Sequence, residues 1–358
     1  MFVINMLPGG YGDCLWIEYG DADNPHRVLI DAGTLPTYKD LRKYIEGRVS
    51  KSERRLELFL ITHIDTDHID TAVRLLNSPS LGLNFEQIWF NGWNQLLDAD
   101  KLGPQQGEYV SALVSENKIP LNPCFKGKAI FTPSKGRLPS VTLLGGMKLT
   151  VLSPGKDQLI KLRSDWKKVM GKSAGNAKTA LKKLATQKKY KDSLGHSKAV
   201  DLQKLADSET KTDSSPANGS SIAVLAEYEG KRCLFGGDCH PDVLESSIQR
   251  LLNSTGSTRL ALSAFKVPHH GSKYNNPSTL FKKLNCKKYL ISTNGKIFRH
   301  PDAEAIARII LYGGPNAELY FNYDTTFTQR WDDDELQRPY KYKTIIRPNS
   351  DAALEISL

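Results

Sequence analysis

Long apolar runs are missing from this chain. None approaches the ~20 residues that a membrane helix needs, and Met1 leads into a strand-like FVINML rather than a signal peptide. Both absences point to a cytoplasmic protein with no membrane partner. Cysteine is scarce as well. Cys14, Cys124, Cys233, Cys239 and Cys286 are scattered, odd in number and without CxxC spacing, so reduced thiols are expected rather than a disulfide scaffold. No internal repeat is visible.

Acidic residues are missing from one stretch. Between Lys161 and Lys191 eleven Lys/Arg face a single acid, Asp165, and that surplus of ten equals the net charge of the whole chain, +10. The remainder is therefore close to neutral. Such a segment suits a polyanion, nucleic acid first, with Lys182, Lys183, Lys188 and Lys189 as candidate phosphate contacts. A solubilising Lys-rich helical hairpin, or a docking surface for a protein partner, fits the same composition.

The 358 residues, 39% hydrophobic and 25% charged, suit one large domain with insertions or two ordinary ones. Polar clustering begins in LELFLITHIDTDHID, Leu56 to Asp70. An apolar strand ends at Ile61, and His63, Asp65, Asp67 and His68 follow within six positions. On an extended backbone His63-x-Asp65-x-Asp67 would share one side, with a helix from Asp70 to Asn77 beyond. Imidazole and carboxylate are ligands for borderline metals such as Zn²⁺ and Mn²⁺. An acidic loop capping a helix is the ordinary alternative.

Further strands are read at 2–7, 14–19, 27–30, 56–62, 85–91, 130–134, 141–144 and 148–152, then at 221–228, 231–235, 260–267 and 288–292. Helices are read at 37–49, 241–253 and 302–311, with a polar excursion at 332–338. Residues 156–217 lack strand signal and read as a partly helical insertion. Asp238 closes GGD at one strand end, and His269-His270 follows another.

His63-x-Asp65-x-Asp67-His68 after a strand resembles the signature of the metallo-β-lactamase-fold hydrolases. With Asp65 at its centre it is similar to the C-terminal hydrolase domain of the DNA-uptake channel protein ComEC. GYGDCLWIEYG, VLIDAG, NGSSIAVLAEYEGKRCLFGGD, FKVPHHGS and His300-Pro301 extend the resemblance over most of 1–155 and 218–311. It implies an α/β (α+β) fold, a four-layer αββα sandwich whose halves, 1–155 and 218–358, flank the basic insertion. It also implies two divalent ions, Zn²⁺ or Mn²⁺, with Asp238 bridging them. Asp67, His68, Asp238 and His270 would hold one, and His63, Asp65 and Asp238 the other. Asp31 would orient a ligand histidine, and His269 would contact phosphate or exchange roles with His270.

Many members of the family supply a further histidine between the first motif and the bridging Asp. Here that interval holds only His196, inside the insertion, and Asn218-x-x-Ser221 stands at the expected place. The implied chemistry is hydrolysis of a phosphodiester by metal-activated hydroxide. Asp65 or Asp238 would take the proton, and His269, Asn218 or His300 would steady phosphoryl oxygens or the leaving group. Ser272, Lys273, Tyr274 and Asn275 would touch substrate. The expected function is a nuclease acting on DNA or RNA. A small-molecule phosphodiesterase, of choline-phosphate or cyclic-nucleotide type, is the alternative, and a binding module without turnover the third reading.

Overall fold

The computed structural model describes residues 1–92, 95–96, 105–172, 200–349 and 352–358. The first half supplies β1 (Phe2–Met6), β2 (Leu15–Gly20), β3 (Pro25–Ile30), β4 (Arg55–Leu56), β5 (Leu58–Leu60), β6 (Asn84–Phe85), β7 (Ile88–Trp89), β8 (Ser140–Thr142) and β9 (Lys148–Ser153). The second half supplies β10 (Ala223–Tyr228), β11 (Lys231–Phe235), β12 (Leu260–Lys266), β13 (Leu284–Ile291), β14 (Glu318–Phe321), β15 (Lys343–Ile346) and β16 (Leu354–Ser357). Two large sheets result, ordered β16-β1-β2-β3-β5-β7 and β15-β14-β13-β12-β11-β10-β9-β8.

Side-chain alternation explains how the sheets stack. Leu15, Ile17, Tyr19, Val28, Ile30, Leu58 and Leu60 form one buried cluster with Val151, Val224, Cys233, Phe235 and Leu290 of the other sheet. Trp16, Leu29 and Phe59, on the opposite face, pack against Leu41 and Ile45 of α1 (Tyr38–Arg48) and Ile69, Ala72 and Leu75 of α2 (Thr66–Leu76). The second sheet buries Leu225, Leu234, Phe265 and Tyr289 against helices Pro241–Thr255 and Ala303–Tyr312. Period-2 strands thus give each sheet two apolar faces, one for the other sheet and one for helices. The fold is the expected four-layer αββα sandwich.

Each sheet changes from antiparallel to parallel pairing. In the first, β3, β5 and β7 run parallel; in the second, β11 to β15 do. Parallel strands end on one edge, so the loops after β3, β5, β11, β12 and β13 open side by side. These carry Asp31, His63 to His68, Asp238, His269-His270 and His300.

Several expected elements differ. The strand read at 56–62 is two short pieces, with β4 paired to β6 in a separate two-stranded sheet. The stretch 130–134 makes only an isolated bridge, Thr132 to Gly155, beside Pro154, whose missing N–H ends a ladder there. The excursion at 332–338 runs into a helix, Asp334–Tyr340. The helix read from Asp70 begins at Thr66, because Asp65 is extended at the N-cap (φ −70°, ψ 145°) and Asp67 and His68 occupy the first turn. Polar first-turn residues hide a helix start from a hydrophobic-period reading.

Of the insertion, Lys156–Lys172 is helical and Leu202–Ala206 forms a short helix packed on the second-half core. Arg308 donates to the carbonyls of Ala206 and Ser208, tying this return arm down. Lys182, Lys183, Lys188, Lys189 and His196 lie outside the described residues.

Candidate metal centre

Asp31 and His68 are the anchored part of the site. Asp31 Oδ2 lies 2.7 Å from His68 Nδ1, and the Asp31 carboxylate also accepts from Thr62 N and Thr62 Oγ1, both at 2.8 Å. Fixing Nδ1 this way aims Nε2 outward, as for a metal ligand. Asp31 thus stands behind a ligand-type histidine. Below α2, Gly12 comes so close that a Cβ there would sit 1.8 Å from the Asp67 carbonyl oxygen. Only glycine lets the 8–13 turn pass under the ligand helix.

Asp238 follows Gly237, whose φ is +52° and on which a Cβ would meet Ser221 Oγ at 2.2 Å. That turn places the carboxylate at the middle of the cluster. Its Oδ2 is 3.4 Å from His68 Nε2, 3.7 Å from His269 Nε2, 3.7 Å from His270 Nε2 and 3.9 Å from His63 Nε2. Asp67 Oδ2 lies 3.2 Å from His270 Nε2, and Asp65 Oδ2 3.6 Å from His63 Nε2. Asp67, His68, Asp238 and His270 form a compact buried quartet suited to one metal ion. His63 and Asp65 stand together beside this quartet, with His63 reaching the same Asp238 oxygen. The alternation therefore stops at Asp65: Asp67 reaches the site from a helix, not from an extended strand.

Both members of the histidine pair enter. Each has left-handed backbone, φ 46° at His269 and 53° at His270, which turns both rings toward Asp238. His270 Nδ1 donates to the Ser292 carbonyl at 2.9 Å, with Asp13 Oδ1 at 3.3 Å. His269 Nδ1 meets Asn275 Oδ1 at 2.7 Å, with Asp213 Oδ2 at 3.5 Å. Three carboxylates thus stand behind three imidazoles, and sequence reasoning identified only Asp31. Asp13 sits in the quoted GYGD turn and is paired with buried Lys266 at 2.7 Å. Asp213 comes from the polar return arm, where no pattern marked it.

Other expected contacts are committed to the protein. Asn218 Nδ2 donates to Asp213 Oδ2 at 2.7 Å, and Asn275 Nδ2 to the same oxygen at 2.9 Å. Ser272 and Asn275 are buried, and Lys273 Nζ binds Glu304 Oε1 at 2.8 Å. Asn218 and Asn275 thus converge on Asp213, the carboxylate beside His269. Tyr274 is exposed. His300 is buried beside His269, with ring centroids 5.5 Å apart.

Burial alone would raise the Asp238 carboxyl, but the His68, His269 and His270 imidazoles outweigh it and hold it well below the carboxylate range. The same contest lowers Asp67, through His68 and His270. Burial opposes protonation of His270, yet Asp238 and Asp13 lift it to about 9. His68 and His269 are raised against burial too, chiefly by Asp238. Burial keeps His300 below its ordinary value.

Do these residues fit a metal? His63 Nε2, His68 Nε2 and Asp238 Oδ1 are buried without a hydrogen-bond partner, and all three belong to the cluster. Buried polar atoms rarely stay unpaired, and nitrogen with carboxylate oxygen is the donor set of zinc and its neighbours. They fit.

Because the raised imidazoles hold protons in the metal-free fold, binding a cation must expel them. Zinc titrated calorimetrically at pH 7 in buffers of different ionisation heat is expected to release at least one proton per ion. Affinity should rise with pH through about 9, where His270 is half deprotonated. Buffer-independent heats with a flat pH profile would contradict the placement of these imidazoles.

No family model matches the chain, and no curated protein matches it. Among solved structures the chain is similar to the metallo-beta-lactamase fold protein YhfI from Bacillus subtilis, at 12% identity and TM-score 0.42 over 99% of this chain and 98% of that one. It is similar to Zn²⁺-bound PqqB from Methylobacterium extorquens at 10% identity and TM-score 0.43, over all of both chains. A mutant CmlA beta-hydroxylase matches at 11% identity and TM-score 0.42 over all of this chain, which spans 54% of that one. Likenesses this distant carry no information on substrate. Among the described residues, no helix is long and apolar enough to cross a membrane.

Proposed function

We propose that this chain is a metal-dependent phosphodiesterase acting on nucleic acid, with Asp238 at the centre of its site. The observation that carries the reading is the convergence of four imidazole Nε2 atoms at 3.4–3.9 Å on one buried carboxylate oxygen. When bound there, a divalent ion supplies hydroxide near neutral pH and draws off phosphoryl charge. Asp67, His68, Asp238 and His270 would hold one ion, and His63 and Asp65, sharing Asp238, would hold a second, Zn²⁺ or Mn²⁺.

The chain's own residues do the rest. Asp31, the Ser292 carbonyl and Asn275 fix the rings of His68, His270 and His269, with Asp13 and Asp213 close behind the latter two, so little reorganisation is needed during reaction. Asp65, the half-exposed carboxylate of the cluster, is placed to take a proton, and His300, kept neutral by burial, to steady a phosphoryl oxygen. The ComEC-like motifs and the Lys-rich segment support a nucleic-acid substrate over a small diester.

Labelled single- and double-stranded DNA and RNA, incubated with metal-stripped protein and with Mn²⁺ or Zn²⁺ added back, test this. Cleavage of at least one nucleic acid only after metal addition is expected. Hydrolysis confined to a small chromogenic diester would move the reading to a small-molecule phosphodiesterase. No hydrolysis with either metal would sink both.

A further inference from the structure

One side of the centre is walled by more aromatic rings than hydrolysis itself needs. His269, whose Nε2 faces Asp238, meets the edge of His300 at 5.5 Å between centroids. Phe298 lies over His300 at 6.1 Å, with the planes only 24° apart. Tyr11 meets Phe298 edge-on at 6.0 Å, with 74° between planes. Its neighbour Gly12 is packed against the backbone of Asp67, so the arc returns to the ligand helix. Rings therefore run from His269 round to the turn that passes under the ligand helix.

Phe298 gains little from this position as a core residue. It is 47% exposed, and the adjoining Ile297 42%. A floppy loop would let both fold away from water, but this one is pinned. Asn294 N donates to the Gly10 carbonyl at 2.9 Å and Arg299 N to that of Gly295 at 3.0 Å. Gly295 has φ +67°, and a Cβ on it would be 2.6 Å from the Phe327 ring. The loop also presents exposed Lys296 and Arg299, which suit phosphates on either side of a bound base. Single apolar side chains on a surface need no explanation; a fixed, half-exposed ring stacked on a histidine of the site does.

We infer that Phe298, backed by His300 and braced by Tyr11, is a stacking platform for an unpaired nucleobase beside the scissile phosphate. The inference rests on the phosphodiesterase reading and narrows it to single-stranded nucleic acid. A base inside a duplex already has both faces covered, whereas an unpaired base offers a free π-face to an aromatic ring. Stacking is indifferent to base identity, so cleavage should show little sequence preference.

The test is binding of fluorescently labelled, phosphorothioate-linked decathymidylate and of an abasic strand of equal length and charge, by anisotropy, to the zinc-loaded protein. Native protein should favour the base-bearing strand by about fivefold or more. Phe298→Ala and Phe298→Leu should erase that preference while leaving affinity for the abasic strand within about twofold, and Phe298→Trp should keep or widen it. Equal binding of both strands by the native protein, or an equal loss on both in the variants, overturns the platform. Because the strands resist cleavage, this readout is independent of turnover. Preference without hydrolysis of ordinary DNA would sink the reaction and keep the platform; hydrolysis without preference would do the reverse.

Discussion

Replacing Asp238 by Ala is expected to abolish metal-dependent hydrolysis and lower metal affinity by at least about 100-fold, with the fold retained. Loss of a residue that merely supports a ligand already costs about 10–100-fold in affinity, and Asp238 faces four imidazoles. The carboxylate also favours the protonated forms of His68, His269 and His270 in the metal-free fold. Its removal should therefore let those rings fall back toward the ordinary imidazole range, since burial opposes their charge and the remaining carboxylates supply only part of the opposing pull. NMR titration of imidazole resonances in metal-free protein would show that fall, and elemental analysis would report metal content. A variant that still turns over at the native rate, or whose histidines titrate unchanged, would remove Asp238 from the centre.

Converting Lys182, Lys183, Lys188 and Lys189 to Gln is expected to weaken nucleic-acid binding and flatten its salt dependence. Each phosphate neutralised on a single strand contributes roughly −0.7 to the slope of log K against log salt, so four contacts amount to about −2.8. Between 50 and 200 mM salt that difference alone corresponds to about 50-fold in affinity. Hydrolysis of a small chromogenic diester should hardly change, because the metal ligands are untouched. An unaltered slope would make the segment a solvated face and favour the small-diester reading. The experiment would separate two proposed sources of binding: contacts made by the lysines through charge would fade with salt, and stacking on the uncharged face of Phe298 would not.

Much of this protein could be read from sequence because period-2 strands and strand-end polar clusters are local signals. VLIDAG, LFLITHIDTDHID, CLFGGD and FKVPHHG each carry an apolar run that stops where a ligand-type residue begins. Those runs marked the strands, their ends marked His63, Asp65, Asp67, His68, Asp238 and the pair His269-His270 as candidates, and the family resemblance implied the four-layer sandwich and favoured His270 over His269. Tertiary structure alone decided how closely the four imidazoles converge on Asp238, since that depends on parallel strands from two sheets ending at one edge. It also placed Asp213 behind His269 and Asp13 between Lys266 and His270, across separations no local pattern records. Lys273 looked free in sequence and is bound to Glu304, because a charge finds its partner through packing rather than spacing. Phe298 shows the same limit: nothing in the sequence marks it, and only the fold leaves its ring half in water beside the candidate metal centre.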